Sequence, residues 1–389
     1  MINLSTKRIA LVHDYLLKIG GAERVLKALH EMFPQAPIYT VVYDRKFTRE
    51  LLGDIKISGT FLQKLPLFLR KRYKYFSFLI PAAIEHLDLS KFDIVISSCS
   101  AFSKGIITKP GTVHISYCHT PTRFLWDWTH NYTNKFAKII FHFLRFWDQT
   151  ASRRVDYFIA NSKHIAARIK KFYGRESAVI YPPAANFVQA KLGYKIEHPE
   201  ERSDEGQSLA LLDPYNDIFV RDYFLIVSRL CPYKKIDIAI EAFKKLGFPL
   251  IIIGEGDDKT HLVNIARGAR NIKFLGYQSD ENIFLYYKNC KALIFPGEED
   301  FGMSMVEAMS FGKPVLALRE GGAKEILIEG MTGEFFDEPH PVVLADGVRR
   351  LLKNYNNYSP ILIKKRAEKF SKDRFKREML DFIEKRCKM

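Results

Sequence analysis

At 389 residues and 47% hydrophobic, the chain is too long for one ordinary core and too apolar to be disordered, so two or three domains are expected. No apolar run reaches the roughly 18 residues that span a bilayer, and the five cysteines (Cys99, Cys118, Cys231, Cys290 and Cys387) form no C-x-x-C pair, which argues against a disulfide framework or a structural zinc. The formal charge of +16 is uneven: residues 1–190 hold 28 Lys and Arg against 13 Asp and Glu, whereas residues 191–389 hold 32 against 31, so the first half alone suits an anionic partner such as nucleic acid, acidic headgroups or polyphosphate, or is simply basic for solubility.

Met1-Ile-Asn-Leu4 leads directly toward an apolar strand with no small-residue cleavage site, so no secretory signal is expected and the implied compartment is the reducing cytoplasm. Arg8–His13 reads as a short buried strand. Gly20-Gly21 follows, and Ala22–Met32 has apolar residues at 22, 25, 26, 29 and 32, a helical spacing closed by Pro34. Further strands are expected at Ile94–Ser97, Thr112–Ser116, Tyr157–Ala160 and, after a helix near 162–173, Val179–Tyr181. Strands alternating with helices imply a parallel sheet covered on both faces. Lys195–Pro214 is polar and poor in aromatics, and reads as an exposed insertion or linker. The alternation then restarts with strands at Phe224–Val227, Leu250–Ile253, Ile272–Phe274, Ala292–Phe295 and Pro314–Ala317, and a helix near 236–247. Asp373–Lys385, with apolar Phe375, Met379, Phe382 and Ile383, reads as a last amphipathic helix. The expected organisation is an N-terminal domain over 1–190, a linker over 191–221, a second domain over 222–370 and the last helix over 371–389.

Glu299-Asp-Phe-Gly-Met-Ser-Met-Val-Glu307 follows the strand ending at Phe295. Glu299 sits in a loop and Glu307 within the helix that follows, around a glycine turn. The backbone N–H groups near Gly302, Met303 and Ser304 open a helix, and such an end suits a diphosphate because free donors and the helix dipole both favour negative charge. Arg229 and Lys234 lie just after the first strand of the second unit, where open α/β sheets bind ligands, and are placed to neutralise that diphosphate. Each feature alone also fits an acidic or basic loop with no ligand. Gly254-Glu-Gly256 supplies G-x-G, but Lys259 stands where a dinucleotide fingerprint needs its last glycine.

Together these features resemble the retaining glycosyltransferases of family four, group 1 type, with the GT-B fold. Glu299 and Glu307 match both ends of the E-x7-E motif, Arg229 and Lys234 match the R-x4-K pair, Gly254 looks like the glycine-rich strand end, and Gly20-Gly21 matches the N-terminal loop. Tyr117-Cys-His119-Thr-Pro121, with Thr122–Asp127, is similar to the bacterial mannosyltransferase subgroup. The resemblance implies an α/β fold of two Rossmann-like doubly wound domains facing a central cleft, the last helix crossing back onto the first. It implies a catalytic set of Glu299, His119, Arg229 and Lys234. Glu307, Gly302, Met303, Ser304, Gly254, Gly20 and Gly21 would bind the donor. Glu307 would hold the nucleotide ribose, Glu299 the transferred sugar, and the two cations the leaving diphosphate; His119 would face sugar and acceptor, unless it is structural. No carboxylate is expected as a nucleophile.

The chain contains no Asp-x-Asp, the motif with which sugar transferases of the other major fold hold a divalent cation, so no metal and no cofactor are expected. No acidic residue occurs between Asp54 and Glu85, a stretch that mixes Phe and Tyr with Lys64, Arg70, Lys71, Arg72 and Lys74. Such a segment suits an anionic membrane surface. Lys138–Trp147 could act likewise; each could instead pack its apolar face inward. The expected partners are a nucleotide sugar, a lipid-linked or oligosaccharide acceptor and the cytoplasmic membrane face. The expected reaction is hexose transfer in bacterial surface polysaccharide or glycolipid assembly, with GDP-mannose the favoured donor and a UDP-sugar the second. A basic nucleotide- or nucleic-acid-binding protein without activity is the alternative from another class, but no RRM, KH or zinc-finger signature is found and no nucleic acid is expected.

Overall fold

The computed structural model of the chain describes residues 6–18, 20–70, 72–127, 135–184 and 222–387; the expected insertion at 195–214 lies outside them. Continuous apolar runs joined by helices produce sheets buried on both faces. The first sheet has seven strands: β1 (Ile9–Leu16), β2 (Ile38–Tyr43), β3 (Ile57–Gly59), β4 (Ile94–Cys99), β5 (Val113–Cys118), β6 (Tyr157–Ala160) and β7 (Ser177–Val179). The second has six: β8 (Phe224–Val227), β9 (Leu250–Ile253), β10 (Ile272–Gly276), β11 (Ala292–Phe295), β12 (Val315–Leu318) and β13 (Gly333–Phe336). The orders are β3-β2-β1-β4-β5-β6-β7 and β10-β9-β8-β11-β12-β13. Every strand pair between neighbours is parallel. The order reverses at β1/β4 and at β8/β11, and ligands of such sheets bind outside the carboxyl ends of the strands at these points.

The sequence reading omits β2, β3 and β13. β3 has three half-buried residues at a sheet edge, too few for a pattern. β13 starts at Gly333, whose φ of +152° and closeness to the Val315 backbone require a residue without Cβ. Two shifted boundaries matter more. β1 continues through His13 and Asp14 to Leu16 because Tyr15 and Leu16 pair with Val42 and Tyr43 of β2. β5 runs to Cys118, so His119 stands directly at its carboxyl end. All five cysteines are free.

The last helix, Lys372–Arg386, leaves the second domain and packs on the first. Its Phe375, Met379 and Ile383 are fully buried in one cluster with Ile9, Leu11, Leu29 and Tyr117. Phe375 meets the Tyr117 ring edge-on at 5.8 Å, and Phe382 meets Tyr157 at 6.3 Å. Lys372 and Lys376 both pair with Glu31 of the helix Gly21–Met32. The helix therefore ties the chain's end to the sheet it began with. Phe375→Ala should lower unfolding stability by about 3–5 kcal/mol through the cavity it leaves, as measured by denaturant unfolding, whereas a loss below about 1 kcal/mol would mean the crossing contributes little.

Candidate active site

A cavity of about 650 Å³ opens where the two sheets' carboxyl ends face each other. The first domain contributes His13, Gly20-Gly21 and His119; the second contributes Arg229, Tyr233 and the run Glu299–Ser304. Its walls are set from below by two buried acids. Asp14, in the last residues of β1 before Leu16, accepts the backbone N–H groups of Ser100, Ala101, Phe102 and Ser103 at 2.6–2.8 Å, which fixes the loop after β4. Asp148 accepts from Lys104 Nζ (2.5 Å), Thr122 Oγ1 (2.6 Å), Trp126 Nε1 (2.7 Å) and Tyr173 OH (2.9 Å), which fixes the segment after His119. Both carboxylates are satisfied several times over, the condition under which a buried charge is tolerated.

On the opposite wall, Gly302 takes a φ of +100° and starts the helix Met303–Ser310. The first N–H groups of a helix have no partner within it, and Gly302, Met303 and Ser304 all line the cavity. The preceding loop is held by Gly322, whose N–H donates to the Glu299 carbonyl at 2.8 Å. The Glu299 side chain forms an ion pair with Lys234. Burial, then Arg229 and Arg123, push the Lys234 ammonium well below its ordinary value. Arg229 donates to Tyr233 OH at 2.8 Å, and Arg123 stacks 4.9 Å over the same ring while pairing with Asp300 at 2.8 Å. Three cations thus crowd one wall, an arrangement that an added polyanion relieves.

Glu307 is buried and engaged on both oxygens. Tyr287 OH donates to Oε2 at 2.9 Å, and Arg24 of the first domain pairs with Oε1. Arg24 also pairs with Asp280 at 2.7 Å. Burial works against the Arg24 charge, but Glu307 and Asp280 outweigh it and raise its pKa above the ordinary value. Elsewhere across the junction, Ser162 Oγ donates to the Asp300 carbonyl at 2.6 Å, and the Lys163 and His164 N–H groups donate to Glu325 at 2.8 and 2.9 Å.

Gly20, Gly21, His119, Arg229, Glu299, Gly302, Met303 and Ser304 all line the cavity; Lys234 reaches it through its pair with Glu299, whereas Glu307 and its partner Arg24 lie outside the lining. Gly254 does not line it. With φ at +140°, it sits where a Cβ would overlap the Ser228 carbonyl, so it lets β8 and β9 end close together. Lys64 and Arg72 are exposed and Arg70 is held by the Tyr43 carbonyl at 2.6 Å, all away from the cavity lining. Lys71 and the side chain of Lys74 lie outside the described residues. The sequence reading gives no site role of their own to Arg24, Arg123, Asp14, Ser98 and Asp300, although Arg24, Arg123 and Asp300 fall inside runs it singles out. Ala-Glu-Arg24 follows the glycine pair and Arg123 follows His119 by four residues, but only the fold turns them toward the second domain. Among the described residues no group of three or more His, Cys, Asp or Glu is placed to hold a metal ion.

The cleft lies between two parallel-sheet domains, and comparison with known proteins shows what each half resembles. Residues 19–184 match the family model Glycosyltransferase Family 4, and residues 220–374 match Glycosyl transferases group 1. An uncharacterized glycosyltransferase of Methanocaldococcus jannaschii is 29% identical over 54% of this chain and 53% of that protein, so the chain spans about half the length of that relative. Alpha-1,3/1,6-mannosyltransferase ALG2 of Mus musculus is 24% identical over 94% of each chain. HepE of Anabaena, solved with UDP-glucose, superposes with a TM-score of 0.67 at 16% identity, covering 97% of this chain and 99% of that one. The chain thus carries a family 4 glycosyltransferase segment followed by a group 1 glycosyltransferase segment, on the two-domain fold shared with solved glycosyltransferases.

Removing Arg24 alone leaves Glu307 buried with only the Tyr287 hydroxyl and no cation, and should cost roughly 3–5 kcal/mol of stability. Arg24→Met combined with Glu307→Gln should lose less than the two single losses added together, by about 0.5–3 kcal/mol in a double-mutant cycle. Additive losses would show that the two side chains do not act as a pair.

Proposed function

We propose that the protein is a retaining, metal-independent hexosyltransferase that moves mannose from GDP-mannose onto a lipid-linked or oligosaccharide acceptor, in surface polysaccharide or glycolipid assembly. One observation carries the reading: Arg229, Lys234, Glu299 and the open end of the Met303–Ser310 helix converge on one cavity. In this reading the donor diphosphate lies against the helix end and the two cations, where it displaces Glu299 from Lys234. Glu299 then accepts hydrogen bonds from the sugar hydroxyls. Glu307 holds the ribose hydroxyls. The bond from the sugar's anomeric carbon to the phosphate oxygen breaks as the bond to the acceptor oxygen forms on the same face. The acceptor's proton passes to the leaving phosphate, so nucleoside diphosphate is released and no protein nucleophile takes part. Positive groups aimed at that oxygen act where charge develops, which is where they lower the barrier. A sugar nucleotide needs no bound cofactor, and Arg229, Lys234 and the helix end supply the neutralisation that a metal ion otherwise would.

Mannose is supported by the likeness to the mannosyltransferase ALG2 over nearly the whole chain. A UDP-sugar donor is the second reading, supported by the fold shared with HepE, which was solved with UDP-glucose. Incubation with GDP-mannose and, separately, with UDP-sugars, in EDTA and with a membrane lipid extract, tests both. The expected result is lipid-dependent GDP release that survives EDTA and falls at least about 100-fold in Glu299→Ala. Release from a UDP-sugar alone would replace the donor; loss in EDTA would remove the metal-independent step.

The acceptor is proposed to be reached at the cytoplasmic membrane face. No helix among the described residues is long and apolar enough to cross a membrane. The helix Lys135–Ser152 turns Phe141 and Leu144 into the first domain's core and Trp147 onto Phe102, with Phe141 at the cavity. Its other face leaves Ile139, Phe143 and Phe146 exposed, at 57%, 68% and 72%. Phe68 and Phe78 of the basic segment are also exposed, and Ser77 beside Phe78 lines the cavity. Aromatics at the mouth of a basic domain suit an anionic lipid surface. The protein should sediment with phosphatidylglycerol vesicles, less so at high salt, and Phe143→Ser with Phe146→Ser should weaken this about tenfold or more. Equal sedimentation of the double variant would place the lipid contact elsewhere.

A further inference from the structure

Three neighbouring strands of the first sheet bring a row of side chains together beneath the cavity. His13 on β1 is in register with Ser98 on β4, and His119 follows the end of β5, its N–H donating to the Cys99 carbonyl at 2.8 Å. Ser98 Oγ lies 3.1 Å from His13 Nδ1 and 2.8 Å from His119 Nε2. His13 Nε2 lies 3.5 Å from Glu23 Oε1, on the helix that begins at the glycine pair. All four side chains are buried or nearly so.

We infer that Ser98 and His13 are positioning residues that fix the proton of His119 on Nε2 and leave its Nδ1 as a hydrogen-bond acceptor for a substrate hydroxyl. The direction of each bond follows from what each group can do. A carboxylate only accepts, so Glu23 faces the protonated Nε2 of His13. A neutral imidazole protonated at Nε2 accepts at Nδ1, so the Ser98 hydroxyl donates to His13. Having spent its only proton there, Ser98 Oγ accepts from His119 Nε2–H. The other nitrogen of His119, Nδ1, has no partner among the described residues and is not sealed from solvent, and the ring lines the cavity. Burial, and next the neighbouring His13, push the His119 pKa down to about 3, so the ring stays neutral at physiological pH. A neutral acceptor suits a hydroxyl of the sugar or acceptor and is wrong for a phosphate. Ser98 and His13 carry no such role in the sequence motifs, because their use depends on strand register.

The identity of the hydroxyl rests on the transferase reading, but the tautomer rests on the hydrogen-bond row alone, and the two are tested separately. In protein labelled with 15N-histidine, the His119 resonances (assigned with His119→Gln) should show a protonated Nε2 and an unprotonated Nδ1 near neutral pH. In Ser98→Ala both tautomers should appear, and Ser98→Thr, which keeps the hydroxyl, should restore the single form. A wild-type His119 protonated at Nδ1, or a Ser98→Ala spectrum with the wild-type tautomer, would overturn the inference whatever the enzyme's donor. With GDP-mannose, Ser98→Ala should lower kcat about tenfold, the worth of one hydrogen bond, with little change in KM, and Ser98→Thr should recover most of it. Absence of turnover by the wild type would count against the donor assignment and leave the resonance result to decide the inference.

Discussion

The ion pair between Arg24 and Glu307 is the contact on which the rest of the cleft depends. Each sheet by itself ends in a row of loops open to water. Only when the second domain is held against the first do His119 and the glycine pair share a cavity with Arg229 and Glu299. Arg24 does this from the first turn of the helix after that glycine pair, reaching Glu307 and Asp280 together. Gly21 lies close to the Met303 side chain, which would have to shift to admit a Cβ on the first-domain side. The pairs of Ser162 with Asp300 and of Glu325 with Lys163 and His164 close the same junction from another side. The last helix completes the restraint, because its apolar face belongs to the first domain's core while its chain belongs to the second.

That junction has an electrostatic consequence. Arg123, Arg229 and Lys234 approach one another on one wall, and Asp300, Asp127 and Glu299 among the described residues offset their mutual repulsion. A wall of this kind is preorganised for an anion: the cations need no reorientation when charge arrives, and the burial of Lys234 strengthens its interactions. Glu299 and Glu307 are each held by a cation in this state, and under the proposed function both are the groups that meet sugar hydroxyls. Donor binding would therefore exchange ion pairs within the protein for contacts with the ligand. The helix end at Met303, raised into position by the positive φ of Gly302, adds donors that carry no formal charge.

Much of this was legible in the sequence. The alternation of apolar runs with helical spacing specifies two parallel sheets, and five of the thirteen strands, such as Leu250–Ile253, are short runs that are apolar throughout. Glu299, Gly302 and Glu307 were legible because their spacing belongs to one local turn and helix. Arg24, Ser98 and Asp14 were not, since their roles arise between elements: Ser98 matters because β4 lies between β1 and β5, and Arg24 because another domain sits opposite. Gly254 is a motif position whose glycine serves the close approach to Ser228 and stands outside the cavity lining. Lys138–Trp147 joins both readings the sequence left open, burying Phe141 and Trp147 and exposing Phe143 and Phe146 on one helix.

The most direct test of the account is a crystal structure of the protein soaked with GDP. The account predicts phosphate oxygens within hydrogen-bonding distance of Arg229, Lys234 and the Met303 and Ser304 N–H groups, with the ribose hydroxyls on Glu307. Nucleotide bound outside this cleft, or bound within it with Glu307 still closed by Arg24 and the phosphates turned away from Lys234, would contradict it.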